Sequence, residues 1–137
     1  MERNDIEKIV RGVYERRTAN DAAGMSRYFP PDAMYRVAAE PGGGDDIRTY
    51  RGDEIRLAFA ALCETFPATE FSAISLLIDG NHTAARVRAS VVFKPTGEAL
   101  TTELAHFRTF GDAVSVEVIE YFDTGHVARL MANAAGG

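Results

Sequence analysis

The chain has 137 residues, 20 acidic against 15 basic side chains for a net charge of −5, 46% hydrophobic residues and one cysteine, Cys63. That length suits a single domain over 1–137 whose core needs no staple, and one cysteine excludes an internal disulfide framework. The acid excess argues against a nucleic-acid surface, no apolar run nears the roughly 18 residues of a membrane span, and the lack of a signal-peptide pattern suggests a reducing, cytoplasmic setting.

From Asp5 to about Thr18, the residues Ile6, Ile9, Val10, Val13 and Tyr14 recur at three- and four-residue spacing and predict an amphipathic helix. Arg11, Glu15, Arg16 and Arg17 mix signs along it and read as its solvated face. Asn20 or Asp21 can cap a short second helix that Pro30-Pro31 stops. Ala33 to Ala39 reads as a strand, with Tyr35, Val37 and Ala39 facing inward. Pro41 to about Thr49, rich in glycine and acid, predicts a loop, and a third helix with Asp53 as its cap carries Ile55, Phe59, Leu62 and Phe66 up to Pro67.

The remainder predicts an antiparallel meander of Glu70 to Ile78, His82 to Lys94, Leu100 to Phe110 and Val114 to Phe122, joined by turns at Asp79-Gly-Asn, Pro95-Thr-Gly and Gly111-Asp. A terminal helical segment over about His126 to Ala132 follows, with Asp123 as its cap or turn. Alternation turns Ala85, Val87, Ala89, Val91 and Phe93 inward, and likewise Val114, Val116, Val118, Glu120 and Phe122. Glu120 is the acid on an otherwise apolar face. Desolvation there is expected to raise its pKa and suit it to proton abstraction; alternatively it sits at an open strand end or pairs with an arginine. In the third meander strand, Glu103 is placed inward with Thr101, Ala105 and Phe107, which turns His106 and Arg108 outward. Tyr35 either donates to a substrate oxygen or packs with its hydroxyl wet, and His126 is a candidate proton-transfer partner near the pocket mouth. Three scattered histidines without ligand spacing predict no metal site, and no cofactor motif stands out.

Several short stretches carry a resemblance. Lys8-Ile-Val, Asn20-Asp-Ala-Ala, Tyr28-Phe, Asp32-Ala-Met-Tyr35, Tyr50-Arg-Gly52 and Glu120-Tyr-Phe-Asp123 look like limonene epoxide hydrolases, and Ala105-His-Phe-Arg108 looks like ketosteroid isomerases. The general pattern resembles SnoaL-like polyketide cyclases. The resemblance implies an α+β, cone-shaped nuclear-transport-factor-2-like (cystatin-like) fold, with three N-terminal helices packed on a curved, mostly antiparallel sheet. Neither catalytic set carries over whole. At the epoxide hydrolase positions Glu120 and Tyr35 match, Val37 replaces an asparagine, and Arg86-Val-Arg88 stands in place of an Arg-x-Asp pair, so the second acid is missing. At the isomerase positions the base falls on Val37, the oxyanion aspartate on Ala105 and the tyrosine on Val13, with Tyr14 one residue off on another helix face.

The expected site is an apolar cavity lined by Val13, Tyr35, Val37, Phe59, Val91, Phe107, Val118, Glu120 and Phe122, with Glu103 as a second candidate acid, for a small hydrophobic molecule. A cofactor-independent isomerase or cyclase with Glu120 as base and Tyr35 as oxyanion donor is the leading expectation. A non-catalytic binding or accessory protein and an epoxide hydrolase-like hydrolase are the alternatives. A homodimer is expected through an outer sheet face bearing Arg86, Arg88, Ser90, His106, Arg108, Glu117, Ile119 and Tyr121.

Overall fold

A computed structural model describes residues 2–38, 48–111 and 115–136, and the side chains of all of these except 115, 116 and 134–136. The predicted inward positions Ala39, Val114 and Val116, and most of the predicted loop, therefore lie outside what is described. The elements are α1 (Arg3–Thr18), α2 (Ala22–Ser26), β1 (Met34–Val37), β2 (Arg48–Arg51), α3 (Asp53–Thr65), β3 (Ala68–Asp79), β4 (His82–Phe93), β5 (Glu98–Phe110), β6 (Ser115–Phe122) and α4 (Thr124–Gly136). All four predicted meander strands form, within two residues of their predicted ends. No described helix is long and apolar enough to cross a membrane.

The strands make one curved, open sheet in the order β2-β1-β6-β5-β4-β3. Every neighbouring pair is antiparallel except β1 and β6, which run parallel with Tyr35 opposite Val118 and Val37 opposite Glu120. The predicted loop, reaching to about Thr49, overlaps the start of β2. The four residues of that strand instead pair with β1, from Met34 opposite Arg51 to Val37 opposite Arg48. Gly52 then turns the chain into α3 with φ of 57°, a left-handed value that any side chain would strain. Gly52 is thus the N-cap, and Asp53, expected to cap, is the first helical residue.

Two apolar clusters fill the concave side. Ile6, Val10 and Tyr14 of α1 pack with Phe71, Val87, Val91, Phe110 and the α4 residues Val127 and Leu130. Met25, Tyr35, Val37, Ile55, Phe59 and Val118 form the second cluster, and Phe122 touches both. Asn20 pins the α1–α2 turn to the start of β3, its side chain accepting from the Ala68 N–H at 2.8 Å and donating to the Ala68 carbonyl at 3.2 Å. Asp21 supplies the α2 cap, accepting from the Gly24 N–H at 2.9 Å.

Candidate active site

Cross-strand register sets out the polar groups. Residues directly opposite one another point to the same face. Val37, Glu120 and His106 therefore form one row across β1, β6 and β5, with Tyr35, Val118 and Arg108 in the next. Both rows face the helices: Tyr35, Val118, His106 and Arg108 are buried, and the Glu120 side chain is 13% exposed.

This reverses the expected parity of β5. Leu100, His106, Arg108 and Phe110 are its buried positions, while Phe107 is 48% exposed and packs edge-on against Tyr121 on the outer face. Glu103 is outward too, taking two bonds from Arg86 at 2.6 and 3.0 Å. Phe107 and Glu103 are thus excluded from the cavity, and His106 and Arg108 from the outer face. The reason is that β5 carries its site residues inward, so the polar side chains that suggested a solvent face mark the buried one.

A chain of hydrogen bonds runs beneath the sheet. Arg108 Nη1 donates to Tyr14 Oη at 2.8 Å, Tyr14 Oη lies 2.7 Å from His106 Nδ1, and His106 Nε2 lies 2.7 Å from Glu120 Oε1. A guanidinium only donates, so the Tyr14 oxygen accepts from Arg108 and its single proton is directed at Nδ1. Nδ1 is then the acceptor of a neutral imidazole, and the Nε2–H donates to an ionised Glu120. The Tyr14 hydroxyl, both His106 nitrogens and Glu120 Oε1 are all satisfied in this one arrangement. Tyr14, set aside on sequence as facing elsewhere, is a member of it.

The proton affinities agree. Burial pushes His106 below its ordinary value even against the pull of Glu120, which keeps the ring neutral. Burial also pushes Glu120 upward, but the hydrogen bonds from His106 and the Tyr35 hydroxyl and the Arg17 charge hold the carboxyl below its ordinary value. The expected rise is thus reversed, because an acid alone on an apolar wall is desolvated whereas this one has donors behind it. Burial and the neighbouring Glu120 push Tyr35 well above 10, so it remains a donor.

Arg17 completes the set. Read on sequence as solvated, it is 2% exposed, donating Nη1 to Asn20 Oδ1 at 3.1 Å and Nη2 to the Phe66 carbonyl at 2.7 Å, with its carbon Cζ 5.4 Å from the Phe71 ring centre. Its Nε has no hydrogen-bond partner. The carbonyl it holds follows the last turn of α3, where a cation is favoured.

These groups border a cavity of about 210 Å³. Its polar members are Arg17, Tyr35, Tyr50, Thr102 and Glu120, set among apolar side chains that include the expected Val37, Val91 and Phe122. Phe66, Phe71, Ala89, Leu100 and Leu104, not singled out on sequence, also line it. Val13, Phe59 and Val118 instead border a void of about 20 Å³ behind Glu120, shared with Tyr14, His106 and Arg108. His126 lies in the first turn of α4 with its backbone N–H on Asp123 Oδ1 at 3.0 Å, and Val127, not His126, reaches the cavity. Among the described residues no group of three His, Cys, Asp or Glu is placed to hold a metal ion.

Among solved structures, an NTF2-like protein from Burkholderia thailandensis E264 is 28% identical, with a TM-score of 0.74 over 90% of this chain and 95% of its own. An NTF2-like protein of unknown function from Burkholderia pseudomallei K96243 is 23% identical, with a TM-score of 0.74 over 95% and 98%. A protein with a ketosteroid isomerase-like fold from Catenulispora acidiphila, solved in complex with trimethylamine, is 14% identical, with a TM-score of 0.72 over 85% of each chain. No curated protein matches the sequence. The model of the SnoaL-like domain matches residues 10–118, a span from within α1 into β6 that holds Tyr14, Arg17, Tyr35, His106 and Arg108 and ends two residues before Glu120. The chain belongs to the SnoaL-like domain family.

Proposed function

We propose that this protein catalyses cofactor-independent proton transfer on a small hydrophobic carbonyl compound, as an isomerase or cyclase does. The observation that carries the reading is an ionised carboxylate on the wall of an apolar cavity, with Tyr35 beside it. Glu120 takes a proton from the carbon next to a carbonyl, the C–H electron pair moves into the carbon–carbon bond, and the carbonyl oxygen becomes an enolate. Tyr35, neutral throughout, turns its one O–H from Glu120 to that oxygen as the carboxylate takes up the substrate proton. The enolate then either regains the proton at another carbon or attacks a second carbonyl in the same molecule, closing a ring. His106 holds the Glu120 carboxylate in place through Nε2 and does not itself touch substrate.

A carboxylate held below its ordinary range is fully ionised at neutral pH but is a weak base, so it matches an acidified C–H, such as one between two carbonyls. The test is deuterium exchange at the central carbon of ethyl 2-methylacetoacetate in D2O, followed by NMR for the wild type and Glu120→Gln. The variant should lose about 10²–10⁴-fold of the enzymatic rate; an undiminished rate overturns the reading. A ligand-binding protein without chemistry is the second reading, favoured by that same weak basicity. Epoxide hydrolysis is disfavoured, because Arg86 and Arg88 lie exposed on the outer face. There Phe107, Tyr121 and the Arg86–Glu103 pair offer a mixed surface to a second copy of the chain.

A further inference from the structure

Charge does not balance beneath this sheet. Among the described residues two guanidiniums are buried there, Arg17 at 2% and Arg108 at 3% exposure, against the single carboxylate of Glu120. Neither arginine makes a salt bridge with that carboxylate, whose 2.7 Å partner is His106. Among the described residues one positive charge has no carboxylate counter-ion, a costly arrangement in a poorly solvated interior. The Nε atoms of both arginines are buried without a partner. Of the two residues, Arg17 is on the main cavity wall, while Arg108 lies behind, bonded to Tyr14.

We propose that the ligand of this cavity is a hydrophobic carboxylate of about one ring, whose anionic group is received by Arg17 while its apolar body fills the space toward Phe71, Val91 and Leu100. The inference deepens the function proposed above, making the substrate a small keto acid with its carbonyl toward Tyr35 and Glu120. Size sets the upper limit. A cavity of about 150 Å³ accepts benzene and drug-sized pockets begin near 300 Å³, so about 210 Å³ suits one ring with a short chain. Four fused rings exceed that volume. The anion is favoured because it neutralises the surplus charge, and a guanidinium grips a carboxylate more strongly than it does a neutral oxygen. Among the described residues the five Arg17 N–H groups meet Asn20 Oδ1, the Phe66 carbonyl and the Cys63 sulfur, so donors remain for this contact.

The test is isothermal titration of the intact protein at neutral pH with hydrocinnamate, hydrocinnamyl alcohol and the four-ring acid cholate, alongside the Arg17 Nε–H resonance in ¹H–¹⁵N spectra. Hydrocinnamate should bind about tenfold or more tighter than the alcohol, shift the Arg17 signal where the alcohol does not, and bind where cholate fails. Equal affinities for acid and alcohol, cholate binding as tightly as hydrocinnamate, or hydrocinnamate binding without moving Arg17 overturns the proposal. Because the signal is read in the wild type, no variant need fold. The two proposals fail separately: Glu120→Gln should retain the preference for the acid while losing exchange, and retained exchange would overturn only the proton-transfer reading.

Discussion

Replacing His106 with leucine removes the donor that holds Glu120 ionised and leaves a side chain of similar bulk. In the wild type the 2.7 Å contact to Glu120 Oε1 and the 2.7 Å contact to Tyr14 satisfy two buried groups at once. A hydrogen bond to a charged group contributes about 1.5–3 kcal/mol. Its loss should raise the proton affinity of Glu120 roughly ten- to hundredfold, with burial then the dominant influence on the carboxyl. At neutral pH the variant also leaves Tyr14 without its acceptor, so the total destabilisation should be about 3–5 kcal/mol. That cost falls at acid pH, where the variant carboxyl accepts a proton and the buried charge disappears. The assay is urea unfolding of wild type and His106→Leu at pH 7.5 and 4.5, with a ¹³C titration of the Glu120 carboxyl in both. The stability gap should shrink by roughly half at the lower pH, and His106→Gln, which retains an N–H, should recover part of it. A Glu120 carboxyl titrating alike in both proteins, or a gap independent of pH, refutes the reasoning.

The wild type should itself lose stability on acidification in two stages. His106 and Glu120 both have folded pKa values below their ordinary ones, so the unfolded chain binds their protons first as pH falls, and stability declines below about 6.5 for the histidine and below about 4.5 for the acid. Urea midpoints measured from pH 8 to pH 4 check this, and a flat profile from 7 to 5 would contradict a buried neutral His106. Ala89→Leu puts three more carbons into the cavity from its β4 wall, where Ala89 is 3% exposed. Hydrocinnamate affinity should fall at least tenfold while stability changes by no more than about 1 kcal/mol, since the space is already there; calorimetry and urea unfolding read the two. Phe107→Ala should leave cavity binding unchanged and weaken pairing of two copies in sedimentation equilibrium, because Phe107 lies on the outer face with Tyr121.

The meander was legible because valines and alanines alternate with arginine and serine along β4, and because short glycine turns bound each strand. β2 and the parallel pairing of β1 with β6 were not. Four residues carry too little periodicity to mark a strand, and the β1–β6 contact joins segments about 80 residues apart, so only tertiary pairing defines either. β5 was misread for a different reason: Thr102, His106 and Arg108 occupy inward positions, so the polar residues nearest the cavity break the alternation that would have located them.

The signal was nevertheless present. Leu100, Leu104 and Phe110 share a parity with His106 and Arg108, and these three large apolar side chains outweigh the single Phe107 on the opposite face. In α1 the spacing Ile6, Val10, Val13, Tyr14 continues by three or four residues to Arg17, which places that arginine on the buried stripe. Glu120 stands out because a polar residue in an apolar register is buried for a reason. The same rule applied to α1 selects Arg17, and applied to β5 it selects His106 and Arg108. Three elements, α1 and the consecutive strands β5 and β6 some 80 residues further on, each carry a break in their own pattern, and the fold brings all three breaks to the cavity and the void directly behind it. A break on one strand is compatible with a frayed end, as Glu120 alone was. Convergence of all of them, with donors and acceptors matched from Arg108 to Glu120, is what a solvated strand end would not produce.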